Sequence, residues 1–180
     1  MDDSSNEAAA QLEDSLMRGA VAGDARAMDQ LYSLTASALF SYLRRLGSQR
    51  ADADDILQTT FLNAWRSRTR YRGAGARAWL FSIARNAFLT HAGKRARQSS
   101  ESAPALALAT PSEDMAATEL SRRIDSALRG LPDDTREAVV LSRVSGLSIE
   151  EIAVLLRTSE GNVRVRIHRG LKRLQEEVES

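Results

Sequence analysis

At 180 residues, with 25 Lys and Arg against 24 Asp and Glu, two histidines and no cysteine, the chain cannot build a disulfide framework, a cysteine-based zinc site or a thiol nucleophile. No run approaches the ~20 apolar residues needed to cross a bilayer, and the acidic, polar start is the opposite of a signal peptide, so a cytoplasmic protein without membrane insertion is expected. The formal net charge of +1 conceals strong segregation. Residues 1–30 carry seven acids against Arg18 and Arg26, residues 40–98 carry twelve bases against Asp52, Asp54 and Asp55, and residues 99–121 carry four acids and no base. Two basic blocks on either side of an acidic spacer point to two contacts with a polyanion.

Residues 1–12 read as a polar, flexible tail. From Glu13 the apolar spacing predicts a helix through Leu16, Met17 and Ala20, broken and recapped at Gly23-Asp24 and resumed through Ala25, Met28, Leu31 and Tyr32. An amphipathic run through Leu39, Phe40, Leu43 and Leu46 then stops at Gly47. Ala51–Arg66 is the next helix, with Asp52 or Asp54 placed to cap it and Ile56, Leu57, Thr60, Phe61, Ala64 and Trp65 at helical spacing. Asp55, Gln58 and Leu62 lie on other parts of its surface, and Leu62 among polar neighbours is a candidate contact for a partner.

Ser67–Ala78 is a loop by composition, with Gly73 and Gly75 among Arg68, Arg70, Arg72, Arg77 and one aromatic, Tyr71. Glycines let a backbone approach a ligand closely, arginines meet phosphates and stack on bases, and Tyr71 would supply a stacking face. The spacing is not that of a phosphate-cradling P-loop. The alternative is a solvated connector, but four arginines beside an aromatic favour single-stranded or melted nucleic acid. Trp79–Arg97 follows as a helix with Trp79, Leu80, Ile83, Ala84, Ala87 and Phe88 inward, Arg85 and Asn86 polar, and a basic last turn. His91 has no second ligand at metal spacing and reads as a surface residue.

Residues 98–118, rich in Ser, Ala and Pro and without a base, read as a flexible linker. That length is long for a connection inside one compact domain. A helix resumes near Glu119, with Leu120, Ile124 and Leu128 on one face, up to the stop at Leu131-Pro132. Two further helices then meet at a tight turn. Ser148 with Glu151 forms the S-x-x-E of a capping box, before Ile149, Ile152, Ala153 and Leu156. The break falls at Arg157-Thr158, where Arg157 occupies a position that favours a left-handed Gly or Asn. Ser159 is placed to cap the last helix. There Val163, Ile167, Leu171 and Leu174 form one apolar stripe, Val165, Arg169 and Lys172 point away from it, and Asn162, Arg166 and Arg173 lie on its shoulder. A short helix, a tight turn and a second helix with a basic outer face is the helix-turn-helix arrangement suited to the major groove. No strand-like alternation occurs. The expected fold is all-α: two small helical domains, residues 13–97 and 119–178, joined by a flexible linker.

Taken together, DDILQTTFLNAWR, the Arg/Gly loop, AWLFSIARN, the linker and the stretch LPDDTREAVVLSRVSGLSIEEIAVLLRTSEGNVRVRIHRGLKRL resemble the extracytoplasmic-function (group IV) members of the sigma-70 family, the bacterial RNA polymerase specificity subunits. The resemblance runs from about Asp24 to Leu174. It implies that Asp55, Gln58, Phe61, Leu62 and Trp65 dock on core RNA polymerase. It implies that the Ser67–Ala78 loop, including Arg68, Arg70, Tyr71, Arg72 and Arg77, captures the melted strand of the −10 element together with Arg85 and Asn86. Ser159, Glu160, Asn162, Arg164, Val165, Arg166 and Arg169 would read the −35 duplex, and the acidic linker would run through polymerase channels in place of nucleic acid. A controlling anti-sigma factor is implied as well. The sequence departs from the family pattern at Thr60 and Thr90, where acids are usual, and at Arg157 and Asn162, where Gly and Thr are usual.

On this reading the chain is a non-catalytic, cofactor-free transcription initiation factor, monomeric when free. One rival is a helix-turn-helix regulator without a polymerase role, which would bind duplex DNA alone as a symmetric dimer. Another is an enzyme, which two isolated histidines, no cysteine and no paired carboxylates on an apolar face argue against.

Overall fold

Glycine ends the first two helices by the same hydrogen-bond pattern. In a Schellman turn the residue after the left-handed one bonds back to the carbonyl five residues earlier. Gly23 at φ +99° and Gly47 at φ +105° take the left-handed place, with Asp24 N–H donating to the Gly19 carbonyl and Ser48 N–H to the Leu43 carbonyl, both at 3.1 Å. Asp24 then turns the chain into the next helix, its Oδ1 accepting from Arg26 N–H at 2.9 Å. The computed structural model describes residues 3–73, 75–98 and 119–179. Among the described residues every regular element is helical: α1 (Asp3–Val21), α2 (Ala25–Arg45), α3 (Arg50–Ser67), a short 3-10 turn (Arg68–Arg70), α4 (Ala76–Gln98), α5 (Glu119–Arg129), α6 (Asp133–Arg143), α7 (Ile149–Leu156) and α8 (Glu160–Glu179). None of these helices is long and apolar enough to cross a membrane.

Three boundaries differ from the sequence expectation. The first helix begins at Asp3 rather than Glu13, because Glu7, Ala8, Ala9, Ala10 and Gln11 are good helix formers despite lacking an apolar stripe. The third begins at Arg50, so Asp52 stands in its first turn, where it complements the helix dipole, rather than at the cap. The fourth begins at Ala76, which shortens the Arg/Gly loop. The expected linker lies outside the described residues, except for Gln98, which ends α4.

The chain divides into two compact units, one drawn from residues 1–40 and 54–100 and the other from residues 41–53 and 101–180. The first has Met17, Ala20, Leu31, Leu39, Ile56, Leu57, Leu80, Phe81, Ala84 and Phe88 buried. Tyr32 meets Phe61 edge-on, with ring centroids 4.8 Å apart, a favoured aromatic geometry. Thr60 is fully buried and its hydroxyl donates to the Ile56 carbonyl at 2.7 Å, so this departure from the family pattern is a satisfied core residue rather than an altered surface contact. In the second unit Leu128, Leu131, Val139, Val140, Leu141, Leu147, Ile152, Val163 and Ile167 are buried, and α8 packs on α5, α6 and α7. Residues 41–53, which fall within the 13–97 stretch expected from sequence, group by contact with this unit, where Tyr42 OH donates to Glu137 Oε1 at 2.7 Å. The crossing of α8 over α6 is close at Gly170, where an added Cβ would stand 2.5 Å from Val139 Cγ2.

Candidate nucleic-acid interface

The helix-turn-helix is built by local capping. Ser148 Oγ accepts from Glu151 N–H at 3.1 Å while Glu151 Oε2 accepts from Ser148 N–H at 2.8 Å, completing the capping box of α7. The turn is Arg157, Thr158 and Ser159. Arg157 adopts the left-handed conformation, φ 53° and ψ 50°, and among the described residues it alone does so without being glycine. Thr158 N–H closes the turn on the Ala153 carbonyl at 3.0 Å. Ser159 Oγ then accepts from Asn162 N–H at 3.2 Å, capping α8, and Asn162 Nδ2 donates to Thr158 Oγ1 at 2.8 Å.

Along α8, Val163 and Ile167 are buried and Leu171 and Leu174 half-buried. At about 100° per residue this places Arg164, Val165, His168, Arg169 and Lys172 on one outward arc, and all five are exposed. Arg164 is loosely held by Glu160, 3.0 Å away across one exposed turn, a pair that contributes a few tenths of a kcal/mol. Arg166 is different. It lies on the shoulder, half-buried, 2.9 Å from Asp134 of α6, so it joins α8 to its support. His168 was not singled out from sequence, although its spacing of four residues from both Arg164 and Lys172 placed it on the same arc.

In the first unit Tyr71 and Arg77 of the Arg/Gly loop are tied to α1. Tyr71, expected as an exposed stacking face, is buried at 7 % exposure. Its OH donates to Asp14 Oδ1 at 2.7 Å and its ring stands edge-on to Trp79, centroids 5.7 Å apart. Burial foremost, then the hydrogen bond to Asp14 and the charge of Asp14, hold the Tyr71 phenol well above the ordinary tyrosine range, against an opposing pull from Arg18. The same Asp14 Oδ1 accepts from Ala76 N–H at 2.6 Å. Arg77, also expected to face nucleic acid, is turned inward: its Nε donates to Glu13 Oε2 at 3.0 Å, and its Nη2 pairs with Glu13 Oε1. Glu13 itself is almost wholly buried. Arg68 lies 4.1 Å over the Trp65 ring and donates to the Trp65 carbonyl at 2.8 Å. Arg70 and Arg72 are the exposed arginines of the loop, Arg72 donating to the Thr69 carbonyl at 3.0 Å. Arg85 is half-buried, whereas Asn86 is exposed and lines an open groove between α3 and α4 with Asp55, Asn63, Thr90, His91 and Lys94.

On α3, Asp55, Gln58 and Leu62 are exposed and fall within about 60° of one another at helical spacing. Leu62 is 56 % exposed. Phe61, expected on this docking face, points inward at 9 % exposure against Tyr32, and Trp65 is half-buried beneath Arg68. The structure thus brings three of the five expected docking residues together and assigns Phe61 to the core.

A capped helix-turn-helix with a cationic outer arc, on a chain whose other unit exposes Arg70 and Arg72, is the pattern of a helical DNA-reading protein. Comparison with known proteins agrees. Residues 31–98 match the family described as sigma-70 region 2, and residues 121–174 the family described as sigma-70, region 4. The chain is 38 % identical over 157 residues to RNA polymerase sigma factor CarQ of Myxococcus xanthus, covering 83 % of this chain and 88 % of that protein. It is 35 % identical over 163 residues to the ECF RNA polymerase sigma factor SigE of Mycolicibacterium smegmatis, covering 86 % of this chain but 63 % of that longer protein. Among solved structures it is similar to the sigma factor RpoE of Bartonella quintana, crystallised with the anti-sigma factor NepR, with a TM-score of 0.71, 31 % identity and coverage of 84 % of this chain and 96 % of that one. The chain belongs to the sigma-70 family of RNA polymerase sigma factors, in its extracytoplasmic-function group.

Proposed function

We propose that this chain directs core RNA polymerase to promoters, reading the −35 duplex with α8 and capturing the melted −10 strand with Arg70 and Arg72 of the loop and the Asn86 groove. The observation that carries the reading is the outward arc of α8, where Arg164, Val165, His168 and Arg169 are exposed on a helix whose start is fixed by Ser159. Arginine reads guanine O6 and N7 bidentately in the major groove, and a valine methyl suits the thymine C5-methyl. Lys172 and the α8 N-terminus serve phosphate contacts, which fix register without carrying sequence information. At −10, Arg70 and Arg72 meet the displaced strand. Unstacking bases there costs a few kcal/mol, offset by polar and cationic contacts of the loop and groove.

The Asp55, Gln58 and Leu62 face of α3 is proposed to dock on core polymerase, an apolar centre within a polar rim. As a partner of core polymerase, the chain is proposed to act in the cytoplasm as a non-catalytic subunit. The Bartonella relative is held by an anti-sigma factor, and a protein of that kind is proposed to keep this chain inactive by covering its polymerase-binding and DNA-binding faces. Run-off transcription by core polymerase from a matched promoter tests the reading. Transcripts should appear only when this chain is added, and equal yields with and without it would refute the proposal.

A further inference from the structure

The loop assigned to the −10 strand is closed at its neck by a helix that precedes it by more than fifty residues. Asp14 Oδ1 accepts two hydrogen bonds, from Tyr71 OH at 2.7 Å and from Ala76 N–H at 2.6 Å. These donors sit at the two ends of the span Arg72, Gly73, Ala74 and Gly75. One residue earlier on α1, the buried Glu13 holds Arg77 through both of its carboxylate oxygens. On one side of the span the Tyr71 ring is fixed against Trp79. On the other, the Asp14 carboxylate satisfies one of the unpaired N–H groups at the start of α4 and places negative charge at its dipole. Tying Tyr71 and Ala76 to one carboxylate removes backbone freedom that glycines at positions 73 and 75 would otherwise allow and that binding would have to remove.

We propose that Glu13 and Asp14 of α1 are positioning residues for strand capture: they clamp the Tyr71–Arg77 neck so that Arg70 and Arg72 are presented already ordered to the displaced DNA strand. Neither acid touches DNA. Each acts through the backbone and side chains it holds, and preorganisation of this kind raises affinity by removing the ordering cost of binding. The inference rests on the loop's assignment to the −10 strand.

The test uses full-length chain assembled with core polymerase on a duplex promoter, with −35 occupancy and permanganate reactivity of the −10 thymines measured side by side. Asp14→Ala, which removes the shared acceptor, should lower thymine reactivity about tenfold at unchanged −35 occupancy. Tyr71→Phe, which keeps the ring but removes one donor, should lower it a few-fold, and Asp14→Asn, which keeps an acceptor oxygen, should restore most of it. A fold merely destabilised would lose polymerase binding, −35 occupancy and opening together; should Asp14→Ala fail to assemble, Tyr71→Phe carries the test. Wild-type opening by Asp14→Ala and Tyr71→Phe, alongside poor opening by an Arg70→Ala/Arg72→Ala chain, would overturn the clamp while leaving the loop's role standing. Wild-type opening by the double arginine variant would instead overturn the loop's role.

Discussion

Replacing Gly170 by alanine opposes two effects of known size. In a helix interior alanine is favoured over glycine by about 1 kcal/mol. Against that, the new Cβ would lie 2.5 Å from Val139 Cγ2, 3.1 Å from Thr135 Cγ2 and 3.5 Å from Leu131 Cδ1, where carbon atoms prefer about 3.5–4.0 Å. Val139 is buried in α6 at 3 % exposure, and a β-branched side chain in a helix has essentially one χ1 rotamer, so it has little room to turn away. Overpacking of this kind, the off-rotamer side chain it forces included, costs about 1–3 kcal/mol, and a 2.5 Å contact on a stiff buried side chain falls in the upper part of that range, about 2–3 kcal/mol. The packing cost outweighs the propensity gain, leaving net destabilisation of about 1–2 kcal/mol, which for a unit of this size lowers Tm by roughly 4–8 °C per kcal/mol. Gly93→Ala is the control: Gly93 is interior to α4 with nothing within 4 Å of an added Cβ, so the propensity gain of about 1 kcal/mol should appear undiminished. Thermal unfolding of the two variants should therefore shift in opposite directions. With the outer arc of α8 proposed to read DNA, Gly170→Ala should also weaken −35 binding. Stabilisation of Gly170→Ala by as much as Gly93→Ala would refute the close α6–α8 crossing on which the arc's placement depends.

Two further outcomes follow from single residues. Arg157 holds the left-handed conformation at a cost of roughly 1–2 kcal/mol for a side chain with a Cβ, while glycine's extra unfolded-state freedom costs about 0.5–1 kcal/mol; Arg157→Gly should accordingly stabilise the C-terminal unit by about 0.5–1 kcal/mol, read as a higher urea midpoint at unchanged slope. On the outer arc of α8, Arg169→Ala should cost about 1–3 kcal/mol on the preferred −35 sequence and flatten the preference at one base pair, whereas Lys172→Ala should weaken all sequences alike and reduce the slope of log K against log salt by about 1; titrations across single-base promoter variants and salt concentrations separate the two.

Much of the C-terminal unit was legible because its signals are local. Ser148 with Glu151, the left-handed Arg157 and the Ser159 cap each act within a few residues, and each occurs where the spacing placed it. The separate helix α6 was not distinguished. Its run Ala138-Val139-Val140-Leu141 is buried on every side, so it lacks the one-sided apolar stripe that marks a surface helix. Tyr71 and Arg77 differ from the sequence expectation for the converse reason. Their composition suggested nucleic acid, but their partners Asp14 and Glu13 lie 57 and 64 residues away, beyond the reach of any local pattern. The charge segregation held the clue, since an acid-rich first helix in a chain with a base-rich loop invites pairing. Phe61 illustrates a third case: the resemblance assigned it a partner, while its own apolar spacing with Ile56 and Leu57 had already placed it in the core.

The central claim is that two arginine-bearing surfaces on separate units read a promoter only when polymerase holds the chain. It is tested most directly by measuring the affinity of this protein, alone and assembled with core polymerase, for one promoter as closed duplex and with the −10 region held open as a bubble. The account predicts weak, salt-sensitive binding of both DNAs by the free chain, and strong, sequence-dependent binding by the complex that increases further on the bubble. Tight, sequence-specific duplex binding by the free chain, as a dimer and indifferent to both polymerase and the bubble, would contradict it.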